Sequence, residues 1–182
     1  MVQISRFFTV LSVAAVGLAL SVKRTVAVVE ADIAKISTQV TTLDNAIEAY
    51  PLTGGSLLNA LTIHTDATTL ITTLKTATAD VTANGALDEA DGRTILTSVE
   101  AIEPTILDAL TDIVIKKPAF AALPIGGLPA LILQDLTNLK ASTVAFAAAL
   151  VANAPADLVT EATTVQGSIT AAFDPAIAAY TA

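Results

Sequence analysis

Between Val26 and Tyr50 the apolar residues stand at Val29, Ile33, Ile36, Val40, Leu43, Ile47 and Tyr50. Steps of four and three alternate throughout, which draws a heptad seam down one helix. The same rhythm returns from Ile95 to Lys117, at Ile95, Val99, Ile102, Ile106, Leu110 and Ile113, and there Leu96, Leu107 and Val114 widen the stripe. A face that broad needs more than one neighbour, so this helix is expected at the centre of a bundle. Pro104 lies in its middle. A proline lacks the N–H that bonds four residues back and its ring presses on that carbonyl, which predicts a bend or restart.

Punctuation divides the rest. Tyr50-Pro51 and Gly54-Gly55 end the first helix, and Ser56 caps a second that runs to Asn84-Gly85 with Leu57, Leu58, Leu61, Leu70, Leu74 and Val81 among its expected buried residues. Asp88 opens the long helix, with Asp91 three residues on as in a capping box. Lys116 and Lys117 stand where cations favour a helix end, and Pro118 is expected to stop it. An apolar connector, PAFAALPIGGLP, should lie against the bundle. A fourth helix is expected from about Pro129 to Ala152, with Ile132, Leu136, Leu139, Phe146 and Leu150 on one face and Thr143 filling the missing step. Asn153-Ala154-Pro155 breaks it, and a fifth runs from Ala156 to about Ala179, kinked near Pro175. No segment alternates with period two. The fold class is therefore all-α, a five-helix bundle.

The first two dozen residues stand apart. Arg6 closes a short positive region, Phe7 to Leu20 is an apolar run of about 14 residues, and Gly17-Leu18-Ala19 supplies small residues where a signal peptidase reads. A bilayer span needs roughly 20, so residues 1–24 are expected to be an N-terminal signal peptide. Lys23-Arg24 then resembles a dibasic processing site, the alternative being two solvated charges. Residues 25–182 form the helical domain. The whole chain carries 17 acidic and 9 basic residues and a net charge of −8. Loss of Arg6, Lys23 and Arg24 would take that to −11. An acidic chain without basic clusters has no electrostatic footprint for nucleic acid. Threonine, about one residue in seven, is a poor helix former that the strong periodicity must override.

Catalytic and metal chemistry find no foothold. Cysteine is absent. His64 is the only histidine, with Asp66 its one close acidic neighbour in sequence, and reads as an ordinary helix residue rather than a metal ligand or triad member. In the segment DEADG, Asp88 to Gly92, a calcium loop would need carboxylates where Leu87 and Ser98 stand. The glycine pairs lack the lysine and strand of a phosphate loop. Glu100 and Glu103 fall on the exposed side of their helix. No catalytic residue, metal or cofactor is expected.

The assembled pieces are ADIAKISTQVTTLDNAIEAY, a GG-S-L turn, VEAIEPTILDALTDIVIKKPAF and a last helix ending AIAAY. Together they resemble the fungal hydrophobic surface-binding protein A family of secreted and cell-wall galactomannoproteins. The resemblance covers nearly the whole mature chain, and its most distinctive run is Pro104 through Lys116-Lys117 to Phe120. It implies a five-helix domain without enzymatic activity. It also implies adsorption to hydrophobic solid surfaces, recruitment of a secreted esterase as partner and, in some members, a long-chain fatty acid held in a tunnel between helices. The chain stops soon after Tyr180 and has no N-x-[ST] sequon. It is therefore expected to be freely secreted, with any glycan O-linked.

An internal cavity is plausible on physical grounds alone. Broad aliphatic faces, an aromatic fraction of only 4% and a proline in the long helix make complete filling difficult. An empty space of about 300 Å3, the small end for ligand pockets, would cost on the order of 7 kcal/mol. A bound acyl chain removes that cost and gains up to about 0.8 kcal/mol per buried methylene. The expected walls are Ile33, Ile36, Leu74, Val99, Ile102, Ile106, Leu136, Leu139 and Phe146, the alternative being a closed dry core. Gln39, beside the Ile36–Val40 seam, is the candidate partner for a ligand carboxylate, helped by Ser37, Thr73 or Thr143. Its alternative is a solvated flank.

Overall fold

The computed structural model describes residues 25–124 and 126–181. The proposed signal peptide and dibasic pair lie outside them. Five helices follow in order: α1 Val26–Glu48, α2 Leu57–Asn84, α3 Glu89–Ala121, α4 Leu128–Asn153 and α5 Val159–Thr181. The described residues contain no strand. The caps are those the sequence predicts. Ser56 Oγ accepts from the Asn59 N–H at 3.1 Å, and an Asp88 carboxylate oxygen accepts from the Asp91 N–H at 2.9 Å. Gly127 precedes α4 with φ at +91°, a left-handed conformation that suits glycine.

Threonine is accommodated by folding its hydroxyl back. Thr38, Thr42, Thr69, Thr78 and Thr82 each donate to the carbonyl four residues earlier, at 2.7–3.0 Å. That satisfies the hydroxyl inside the helix and limits the propensity penalty.

Helix α3 is not the central rod its broad stripe predicts. It packs on α1 and α5, α1 on α2, α2 on α4, and α4 on α5, so the five helices close a ring, with only a minor contact across it between α3 and α4. The breadth of the α3 stripe serves two flanking neighbours and the interior between them. A regular ring of rods spaced roughly 9–10 Å apart has its axis about 8 Å from each rod, whereas helix side chains reach only about 5–6 Å from theirs. The ring therefore leaves its axis incompletely filled.

Pro118 does not stop α3 as expected, and Pro104 does not make it restart. α3 runs unbroken through Pro104 and on through Pro118 to Ala121, and α5 runs through Pro175. Pro104 and Pro118 are both solvent-exposed, on the outer side, where a lost backbone bond can be replaced by water. Because α3 continues past Pro118, Lys116 and Lys117 do not cap their own helix. They cap its neighbours. Lys116 Nζ donates to the Glu48 and Tyr50 carbonyls at 2.9 and 2.5 Å, and Lys117 Nζ donates to the Ala179 carbonyl at 2.5 Å. Two cations thus meet the otherwise unsatisfied C-terminal carbonyls of α1 and α5. The fifth helix starts at Val159 rather than Ala156, after a turn in which the Leu158 N–H bonds the Pro155 carbonyl.

Candidate functional site, an apolar chamber

The interior of the ring holds three voids in series. The central one, about 90 Å3, draws its wall from all five helices and presents carbon only. A second, about 50 Å3, lies toward the α2–α3 and α4–α5 turns, bounded by Leu87, Gly92, Leu96 and Leu158. A third, also about 50 Å3, lies the other way, bounded by Ile47, Ile63, Ile113, Ile132 and Asp135. Val99 and Ile169 are walls common to the first two, and Leu43, Ala109, Leu110 and Leu139 to the first and third. One water needs roughly 10–15 Å3 of such space, and spaces lined by Leu, Ile and Phe stay dry and admit apolar guests. Left empty, the central void alone costs about 2 kcal/mol, less than the larger void envisaged from sequence.

Length is the more telling dimension. From Gly92 in the second void to Ile113 in the third, α3 covers 21 residue steps, about 30 Å at the helical rise. A bilayer core of about 30 Å holds two opposed acyl chains, so one chain needs roughly half that.

Of the residues singled out from sequence, Ile33 and Ile36 from α1, Leu74 from α2, Val99, Ile102 and Ile106 from α3, and Leu139 and Phe146 from α4 converge on the central void. Thr143 joins them. Leu136 lies on the third void, and Gln39 lies on none of the three. The Gln39 side chain is half-buried, and its amide oxygen is shielded from solvent without a hydrogen-bond partner among the described residues. Thr73 is buried outside the walls. Sequence reasoning missed the α5 contribution, Ile169 and Phe173. Nothing local shows that α5 closes the ring.

The end beyond the third void is plugged by aromatic rings. Tyr50 stacks on Phe120 with centroids 4.2 Å apart, and the Tyr180 hydroxyl donates to the Ile113 carbonyl at 2.7 Å. Burial pushes the Tyr180 phenol well above its ordinary pKa. Gly55 lies under the Tyr50 ring, where an added Cβ would come within 2.4 Å of the phenol oxygen. At the opposite end a Cβ on Gly92 would meet Pro155 at 2.7 Å. The glycine of the DEADG segment therefore serves close packing.

His64 is not the solitary residue its sequence neighbourhood suggests. Its Nδ1 lies 2.8 Å from an Asp135 carboxylate oxygen, joining α2 to α4. Asp135 is buried and stands in the wall of the third void, while about a third of the His64 side chain is exposed. Burial raises the Asp135 pKa, and the hydrogen bond and charge of His64 oppose that rise.

Asp44, Glu48, Asp108 and Asp112 face one another across a surface cleft between α1 and α3. Among the described residues no group of acidic or histidine side chains is arranged to hold a metal ion. Partial burial first, then repulsion from Asp108, Asp112 and Glu48, raises the Asp44 pKa above 3.8. An acid whose folded pKa is raised favours the folded state when protonated, and that contribution is lost as pH rises through the folded value. Asp44→Asn should therefore raise Tm at pH 7 by no more than about 2–4 °C. Thermal melts across pH should show the gain vanishing below about pH 3.8, the ordinary value.

The fold is of the class of helical bundles in which five helices close a ring around a run of apolar voids. The chain belongs to the hydrophobic surface binding protein A family, whose model matches residues 26–152. It is similar in structure to AFMP4P in complex with palmitic acid, with a TM-score of 0.78 and 30% identity over 85% of this chain and 99% of that one. The fold also matches ligand binding domain 1 of Penicillium marneffei MP1 protein complexed with arachidonic acids, with a TM-score of 0.75 and 18% identity over 83% and 95% of the two chains. Domain 2 of the same protein, complexed with multiple arachidonic acids, matches with a TM-score of 0.76 and 18% identity over 87% and 97%. Comparison with curated proteins gives no match. Among the described residues no helix is long and apolar enough to cross a membrane.

Proposed function

We propose that the protein is a secreted, non-catalytic carrier that holds a long-chain fatty acid in the chamber between its helices. The observation that carries this reading is the run of apolar voids along α3 from Gly92 to Ile113. The palmitic acid complex of the 30% identical relative supports it. Ile33, Ile36, Leu74, Val99, Ile102, Ile106, Leu136, Leu139 and Phe146 grip the chain. Gln39 is the candidate partner for the carboxylate, since its amide turned about its last bond offers N–H groups in place of the shielded oxygen. Because it lies off the void walls, the head group must reach beyond the Ile36–Val40 seam to meet it. Native mass spectrometry of protein made in its own secretory pathway tests the reading. A retained mass of roughly 250–300 Da, the size of a sixteen- to twenty-carbon acid in a pocket of this kind, is expected. A clean apo mass that stays unchanged after incubation with palmitate would refute it.

A second reading has its own observation. Leu52, Leu57, Leu58 and Leu61 are exposed, Leu58 by 74%, around the α1–α2 turn. From Ala49 to Thr65 the chain carries no Asp, Glu, Lys or Arg. That neutral apolar patch suits adsorption to a hydrophobic solid, where an esterase partner would act. Strong retention on hydrophobic beads that survives Leu57→Ser/Leu58→Ser would count against it.

A further inference from the structure

Among the described residues Asp135 is the only ionisable side chain on the walls of the three voids. Its side chain is 10% exposed, and one of its oxygens takes the His64 imidazole at 2.8 Å. The four buried polar or charged side chains among the described residues, Thr73, Asp80, Asp135 and Ser142, all lie on α2 and α4. Of these, Asp135 alone reaches a void. The His64 bond engages one carboxylate oxygen, and on the wall of an otherwise apolar void a polar guest could use the lone pairs that remain.

The chemistry of that guest follows from the carboxylate. Ionised, it accepts hydrogen bonds and donates none, and of its roughly four lone-pair sites the imidazole uses one. A second carboxylate brought against it would leave two like charges that cannot both stay ionised. A hydroxyl suffers no such conflict and makes a charge-assisted bond, roughly twice as strong as a neutral one.

We propose that Asp135 is a head-group acceptor at the plugged end of the chamber, fitting it for long-chain lipids that end in a hydrogen-bond donor, a primary alcohol being the simplest. The inference rests on the acyl-chamber reading above. It adds that a fatty acid lies with its carboxylate away from this end, whereas an alcohol of the same length places its hydroxyl here. His64, bonded to that carboxylate, is a positioning residue.

The test uses the full chain and two uncharged probes with the same sixteen-carbon chain, 1-hexadecanol and methyl hexadecanoate, each displacing a polarity-sensitive dye from the protein. Both probes accept hydrogen bonds, but only the alcohol donates. The wild type should bind the alcohol about tenfold more tightly than the ester. Asp135→Leu should bring the two within about threefold, since a wall of carbon cannot accept. Asp135→Asn keeps the shape and loses the charge, and should fall between them. His64 is partly exposed, so water can replace its partner in either variant, and circular dichroism reports that the helices remain. Equal affinities in the wild type, or a preference that survives both substitutions, would overturn the assignment of Asp135. In that case tight binding of both probes leaves the chamber itself standing. If neither probe displaces the dye, both readings fall together.

Discussion

Val99→Trp is expected to abolish binding of a sixteen-carbon fatty acid while leaving a folded five-helix protein. Val99 is the α3 residue common to the central void and the void beside Gly92, and it is only partly buried. An indole there fills space that is empty in the wild type, and its N–H has a route to solvent, which limits the overpacking penalty that large residues incur in a filled core. The effect on the guest is severe. Denying an acyl chain even six methylenes at about 0.8 kcal/mol each removes roughly 5 kcal/mol, more than a thousandfold in affinity at about 1.4 kcal/mol per decade. Ile106→Trp, on the wall of the same central void, should act the same way. Thr97→Trp places the same ring on the exposed outer face of α3 and should leave affinity unchanged. Titration calorimetry with palmitate on the three variants makes the comparison. Unaltered affinity in Val99→Trp would mean that the chain does not pass this point.

The contrast between Val99 and Thr97 shows how much of the molecule is legible in its sequence. The 3.6-residue rhythm places Val99 inside and Thr97 outside, because aliphatic burial is the dominant local signal, but it misplaces the start of α2, where Leu57, Leu58 and Leu61 are expected inside and are exposed. The Ser56 and Asp88 caps are equally local, each a side chain bonding a backbone N–H three residues on. Arrangement was harder to read. The breadth of the α3 stripe fits a rod at the centre of a bundle as well as a stave in a closed ring. Only the pairing of α5 with both α3 and α4 decides between them, and no residue of α5 encodes it by spacing. Pro118 misleads for a similar reason. A proline disrupts a helix where the carbonyl it orphans is buried, and Pro118 is exposed, so α3 continues and its lysines reach across to Glu48, Tyr50 and Ala179. The least legible feature is the His64–Asp135 pair, 71 residues apart in the chain. Asp135 directly precedes the core residue Leu136 and reads as a flank position. Its burial follows from the packing of α2 on α4, and the buried alanines of α2, Ala60, Ala67 and Ala77, carry no signal of a partner.

Saturation with palmitate should raise the melting temperature by about 5–10 °C, and the rise should grow with the logarithm of ligand concentration. A ligand that binds only the folded state stabilises it by about 2.7 kcal/mol when free at a hundred times its Kd, and in a domain of 150–250 residues each kcal/mol moves Tm by about 2–4 °C. The folded state has a particular reason to respond. The central void of about 90 Å3 leaves its lining without contact partners, a deficit of about 2 kcal/mol that a hydrocarbon guest removes as it enters. An unfolded chain of the same composition has no enclosed space to fill, so its affinity for the lipid is weak and the linkage is nearly one-sided. Val99→Trp supplies the control, since a chamber blocked in advance should show a melting temperature indifferent to palmitate. Adsorption at the exposed leucines Leu52, Leu57 and Leu58 gives a different signature. Contact with an apolar surface rewards opening of the helices as much as closure, so palmitate micelles would lower Tm or leave it unchanged. Calorimetric scans of the wild type below the concentration at which palmitate forms micelles separate the two. A flat Tm there, alongside strong retention on hydrophobic beads, would move the function of this bundle from its interior to its surface.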